Sequence, residues 1–171
     1  MDSFEQVLPK LVKIQLFADF DPQSPDDRRI LKAVYEKLSI KKFKAGETII
    51  REGDVGDSFY ILYSGKVLIT RGTPSGDVIA LDTLDASQNI FFGEMAIISN
   101  DSRSATVTAN TECEALTISG KAFLSICDKE PILGYRVLSV LARRLTNTLA
   151  ETSKDKAILY AALCNEIENG V

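Results

Sequence analysis

Apolar residues at the start of the chain recur at helical spacing. Phe4, Val7, Leu8, Leu11 and Val12 fall on one face. Ser3 with Gln6 matches a capping box, and Pro9 predicts a kink or a restart. The loop "DPQSPDD" (21–27) can cap a second helix, "RRILKAVYEKL". From about residue 39 the period changes. "SIKKFK", "ETIIRE", "SFYILYS", "KVLITR" and "DVIALDTL" are short runs bordered by Gly46, Gly53, Gly56, Gly65, Gly72 and Gly76. Two more, "SATVTAN" and "CEALTIS", follow later. Short strands with regular turn signals predict a mainly β fold, a jelly-roll β-barrel (double-stranded β-helix) with N-terminal helices and a long C-terminal helix. Gly46, Gly53, Gly56 and Gly65 are expected to supply positive φ in turns. Ser119 can cap "GKAFLSICDK", and Pro131 suits the first position of "PILGYRVLSVLARRLTNTLAE". The polar stretch "TSKDK" predicts a break before a last helix, "AILYAALCNEI". The chain thus divides into an N-terminal helical segment (1–38), the barrel (39–128) and C-terminal helices (131–171).

Composition narrows the function classes. The chain has 171 residues, 45% of them hydrophobic and 26% charged, the balance of one globular domain. A net charge of −4 offers no basic field for nucleic acid or an anionic membrane. No apolar run has the length of a membrane span, and "MDSFEQ" is not a basic, apolar leader, so a cytoplasmic location is expected. Cys113, Cys127 and Cys164 are far apart and odd in number, which suits reduced thiols rather than a disulfide framework or a zinc site. There is no histidine. Ser-His and Cys-His nucleophile pairs and imidazole metal sites are therefore excluded, and the expectation is a non-enzyme without catalytic or metal residues.

The chemistry concentrates in "FFGEMAIISNDSRSATV" (91–107). A lone carboxylate, Glu94, stands at one end of a short apolar run and a lone guanidinium, Arg103, beyond the other. If "GEMAII" forms one or two helical turns, its first N–H groups favour an anion. Arg103 adds a planar fork suited to two phosphate oxygens, and Ser104 a hydroxyl. Glu94 repels a phosphate but accepts from hydroxyls, so the pair suits a ligand with one anionic end and one donor end. A ribose phosphate has both. The plainer reading is that Glu94 favours its helix start and Arg103 pairs with Asp101 or Glu94 on the surface.

This segment resembles the phosphate-binding cassette of cyclic-nucleotide-binding domains. "FGEMAIISNDSRSATV" matches the family's F-G-E-(L/M)-A-(L/I) start and its R-(S/A/T)-A-x-V end. "GETIIREGDVGDSFYILYSGKV" (46–67) looks like the family's glycine-punctuated strands. The likeness covers about 40 to 150, and from "RSATV" to "ARRLTNT" it is similar without gaps to the bacterial catabolite activator (cAMP receptor) proteins. The resemblance implies a ligand site of Gly93, Glu94, Met95, Ala96, Arg103, Ser104, Ala105 and Thr148. Glu94 would accept from the ribose 2′-hydroxyl. Arg103 and Ser104 would hold the cyclic phosphate, with backbone N–H groups near Ala96 and Ala105. Gly93 would allow close backbone approach, and Thr148 would contact the base. Two departures stand out. Leu149 replaces a residue that contacts the base from the other subunit, and Asn89 stands near the family's usual glycine before the cassette.

The function so implied is a cyclic-nucleotide sensor, for cAMP first and cGMP second, with no other cofactor. The alternative is a degenerate barrel of the same fold that binds a protein partner. A cupin-type enzyme lacks its histidines. A helix-turn-helix output does not fit the twenty residues 152–171, which are too few and carry no basic recognition helix. Leu138, Leu141, Leu145 and Thr148 form a stripe that either packs on the barrel or pairs two copies in a homodimer. A downstream protein partner is the further expectation.

Overall fold

The computed structural model describes residues 3–98 and 102–169. Two four-stranded antiparallel sheets face each other as a jelly-roll sandwich rather than one closed barrel. The first has the order β1 (Ser39–Phe43), β8 (Cys113–Ser119), β3 (Ser58–Ser64) and β6 (Phe91–Phe92). The second runs β2 (Thr48–Ile50), β7 (Thr106–Ala109), β4 (Lys66–Gly72) and β5 (Val78–Asp85). Every run expected as a strand forms one. β6, hidden in the apolar start of the cassette, is the addition.

The central strands of the first sheet, β3 and β8, are buried on both faces. The sheet's inner face packs Tyr60, Leu62, Phe92 and Ala115 against Val107 and its neighbours in the second sheet. Its outer face carries Phe59, Ile61, Leu116 and Ile118 against the helices. That explains the unbroken apolar run "FYIL" in β3, since a strand covered on both faces has no polar alternation. Helices α1 (Phe4–Leu11), α2 (Pro25–Tyr35), α4 (Gly120–Lys129) and α5 (Pro131–Asn169) form the third layer. The Gln6 side chain accepts from the Ser3 N–H at 2.8 Å, as the capping motif predicts. Pro9 does not divide α1. It is solvent-exposed near the C-terminal end, where the carbonyl it leaves unpaired can be met by water. Ser24 and Ser119 cap α2 and α4.

α5 departs twice from expectation. It runs unbroken through "TSKDK", because that stretch is polar but contains no glycine or proline to stop a helix. At 1.5 Å per residue it is about 58 Å long. The stripe at 138–148 is also split. Leu133, Val137, Val140 and Leu141 pack into the core, whereas Leu138 and Leu145 are 61% and 47% exposed. Leu141 therefore belongs to the chain's own core and not to a seam. Two ion pairs tie α5 to the N-terminal helices. Arg136 meets the buried Asp27 at 3.1 Å, and Glu130, just before α5, meets Arg29. Burial, helped by the Asp128 charge, pushes the Cys127 thiol up to about 11, so it stays protonated. No helix is long and apolar enough to cross a membrane among the described residues.

Leu141→Ala is expected to cost about 2–5 kcal/mol in urea unfolding, the range for truncating a buried leucine. A loss no larger than that of an exposed surface site would return Leu141 to the outer stripe.

Candidate functional site

The chain leaves the first sheet at β6 and enters the second at β7, and residues on both sides of this connection, with α5, line one cavity. Asn89, just before β6, has φ 54°. Asparagine is among the few residues that tolerate this left-handed region. Asn89 thus holds a left-handed conformation there without a glycine. Gly93 follows β6 with φ 76°, and a Cβ there would stand 3.0 Å from both Arg103 Nη1 and Ile50 Cδ1. Conformation and space both require glycine. α3 (Met95–Ile98) is a single turn, so little of a helix dipole is available. The positive charge at this cavity comes from side chains, Arg103 first among them.

Arg103 is fixed from several sides. Its Nη1 donates to the Gly93 carbonyl at 3.0 Å and its Nη2 to the Ser58 carbonyl at 2.6 Å. Its main chain is bonded to the 51–57 loop. Gly53 N–H donates to the Arg103 carbonyl and Arg103 N–H donates to the Asp54 carbonyl, both at 2.9 Å. Next to it, Ser102 bridges Val55. Carbonyls orient a guanidinium but do not neutralise it. Among the described residues no carboxylate pairs with Arg103, and Asp101 lies outside them. The half-buried fork retains donors for an anion.

Glu94 does not pair with Arg103. Its side chain, 17% exposed, meets Arg144 of α5 at 3.3 Å. The Arg144 guanidinium lies 4.9 Å from the Phe91 ring centroid, within cation–π range. Sequence reasoning missed Arg144. The available signal was its place four residues before Thr148, which puts both on one helix face.

These groups share a cavity of about 370 Å³, within the usual size of small-molecule sites. Gly93, Glu94, Met95, Arg103, Ser104, Ala105 and Thr148 line it, joined by Ser102 and Arg144. Ala96 belongs to α3, and its side chain lies outside the described set. Leu149 is exposed and not part of the lining. Ile50, Ile69, Leu81, Phe92 and Val107 supply apolar walls. Leu81 arrives by a register shift. Asp82 pairs with Ile69 and Ala80 with Thr70, which leaves Leu81 unpaired at a bulge that re-aims its side chain. The sequence carried no signal for that. The site can hold an anion at Arg103 and Ser104, accept hydrogen bonds at Glu94, and cover a flat ring with aliphatic walls. No His/Cys/Asp/Glu cluster that could hold a metal exists among the described residues.

Comparison with known proteins places the chain's family and fold. The model of a family described as "Cyclic nucleotide-binding domain" matches residues 40–130. A CRP-like cAMP-activated global transcriptional regulator of Mycobacterium tuberculosis is 32% identical over 138 residues, 81% of this chain and 58% of the regulator. The chain thus spans little more than half of that relative. Human cGMP-dependent protein kinase 2 is 40% identical over 86 residues, 50% of this chain and 11% of the kinase. The crystal structure of the Thermus thermophilus catabolite activator protein superposes with a TM-score of 0.70 at 25% identity, covering 83% of this chain and 63% of that one.

If Asn89 serves as a left-handed hinge, Asn89→Gly should leave stability within about 0.5 kcal/mol and Asn89→Val should lose about 1–2 kcal/mol. Thermal or urea unfolding reads both. Equal effects of the two substitutions would contradict the conformational role.

Proposed function

The chain belongs to the cyclic nucleotide-binding domain family, and on that premise we propose that it is a cAMP-binding regulatory module, without catalysis of its own, acting in the cytoplasm. The observation that carries the reading is Arg103, a half-buried guanidinium oriented by two carbonyls toward a cavity that also holds Glu94 and Thr148. The cyclic phosphate binds Arg103 and Ser104, helped by backbone N–H groups near Ala96 and Ala105. Gly93 and Met95 form the floor beneath it. The ribose 2′-hydroxyl donates to Glu94, whose charge Arg144 partly offsets. The base lies between the aliphatic walls and Thr148.

Support for cAMP over cGMP comes from the cAMP-activated regulator as a relative and from Ser104 beside Arg103. Thr148 can accept from an adenine amino group, but its hydroxyl can also turn to donate to a guanine carbonyl. Discrimination is therefore modest, in keeping with a cGMP-dependent kinase among the relatives.

The output runs through α5. Arg144 and Thr148 stand where this helix passes the cavity, and beyond them it is exposed on all sides. Leu138, Leu145, Leu149 and Leu163 line its outer flank and are each about half exposed or more. Their near-heptad spacing suits a parallel pairing of two copies. Nucleotide at Thr148 and Arg144 biases the position of α5 and with it the homodimer, or a downstream protein partner that reads it.

Calorimetric titration tests the site. Arg103→Ala should cost about 2–5 kcal/mol of cAMP affinity, or roughly thirty- to several-thousand-fold in Kd. Glu94→Gln should cost less, and its effect should shrink with 2′-deoxy-cAMP. An Arg103→Ala variant that binds like the parent sinks the assignment.

In the same titration cAMP is expected to bind more tightly than cGMP. Equal or reversed affinities would contradict the roles given to Ser104 and Thr148.

Native mass spectrometry tests the assembly. The parent chain is expected as a dimer, and Leu145→Glu with Leu149→Glu as a folded monomer, because like charges would face each other across the seam. A monomeric parent with and without cAMP would restrict α5 to covering the base within one chain.

A further inference from the structure

Gly56 does not fit the role expected for it. Its φ lies outside the left-handed region, unlike Gly46, Gly53 and Gly65, so backbone conformation does not demand glycine there. Space does. A Cβ at this position would stand 2.7 Å from Arg103 Nε, 2.7 Å from Nη2 and 3.1 Å from Cζ. The far end of a free arginine would simply swing aside. This one is bonded to the Gly93 and Ser58 carbonyls and cannot move without giving up one or both. Nor can the loop retreat. Gly53 and Asp54 are bonded to the Arg103 main chain, and the Asp57 carbonyl accepts from the Gly120 N–H at 2.5 Å. Gly56 sits between these two anchors.

We propose that Gly56 is a positioning residue for Arg103: its bare Cα forms the wall against which the guanidinium is packed, and the absent side chain sets where the fork meets the ligand phosphate. The loop and the cassette are then one device. Two carbonyls fix the direction of the fork and Gly56 fixes its depth. Adding one methyl group must displace the guanidinium by about 0.7 Å to restore ordinary contact distances. Charge-assisted hydrogen bonds weaken steeply with such displacement. Because Gly56 has an ordinary φ, alanine can adopt its backbone, and the substitution acts on the arginine rather than on the turn.

This inference rests on Arg103 as the phosphate ligand, and the test separates the two. Three measurements are made on the parent, Gly56→Ala, Arg103→Ala and the double variant: cAMP titration, thermal unfolding without ligand, and the Arg103 Nε–H resonance without ligand. Gly56→Ala is expected to weaken cAMP about ten- to a hundred-fold. It should leave the melting temperature within about 2 °C and shift the Nε–H resonance in the ligand-free chain. In the Arg103→Ala background, with no guanidinium left to displace, Gly56→Ala should change the residual affinity by less than about two-fold. Parent-like affinity together with an unmoved Nε–H resonance would overturn the proposal. So would an equal loss in both backgrounds, or a large drop in melting temperature, since either makes Gly56 a structural turn residue only. If the parent binds no cAMP, the functional reading fails, and the Nε–H resonance alone decides whether Gly56 sets the guanidinium.

Discussion

A guanidinium oriented by main-chain carbonyls, with no carboxylate partner among the described residues, is the interaction on which this molecule's site depends. Removing a charge from water costs free energy unless a partner compensates it. Arg103 meets the Gly93 and Ser58 carbonyls, which satisfy some of its donors but not its charge. In the proposed function an anion completes the arrangement. Several local features serve this one placement. Asn89 turns the chain into β6, Gly93 lets the backbone pass under the guanidinium, and the 51–57 loop holds the main chain that carries it. Glu94 is treated in the opposite way. Arg144 offsets its charge at 3.3 Å, which fits it to accept from a neutral hydroxyl beside a phosphate.

The same contact connects the site to the long helix. α5 enters the core through Leu133, Val137, Val140 and Leu141 and is tied to α2 by Arg136 and Asp27. One turn later Arg144 reaches Glu94, and one turn beyond that Thr148 lines the cavity. The remainder of the helix projects free of the domain. The cavity-lining residues of α5 are thus its last points of attachment. A ligand that strengthens or loosens those contacts acts where the helix is least constrained, which is where small free energies shift populations most.

Local patterns in the sequence carried most of the fold. Alternation and turn residues marked seven of the eight strands, and cap residues marked the helix starts, because these signals are written in neighbouring residues. Two-residue β6 was too short to carry a pattern. "TSKDK" misled because polarity and helix termination are different properties, and only glycine or proline reliably supplies the second. The stripe on α5 misled for a related reason. Leu141 and Leu145 lie four residues apart, yet the edge of the buried face passes between them. At the site, Glu94 and Arg103 were legible through the cassette motif and Thr148 through the likeness of the long helix to the activator proteins; all three line one cavity. Arg144, Leu81 and the packing of Gly56 were not. Each depends on a contact between distant segments: an ion pair across the cavity, a register shift between β4 and β5, and a loop pressed on a side chain.

The central claim is that Arg103 awaits a cyclic phosphate. The most direct measurement is a crystal structure of the chain grown with cAMP. The account predicts the exocyclic phosphate oxygens within hydrogen-bond distance of the Arg103 guanidinium, about 2.7–2.9 Å, with the ribose 2′-oxygen on the Glu94 carboxylate. Nucleotide bound elsewhere, or bound in this cavity with its phosphate turned away from Arg103, would contradict it.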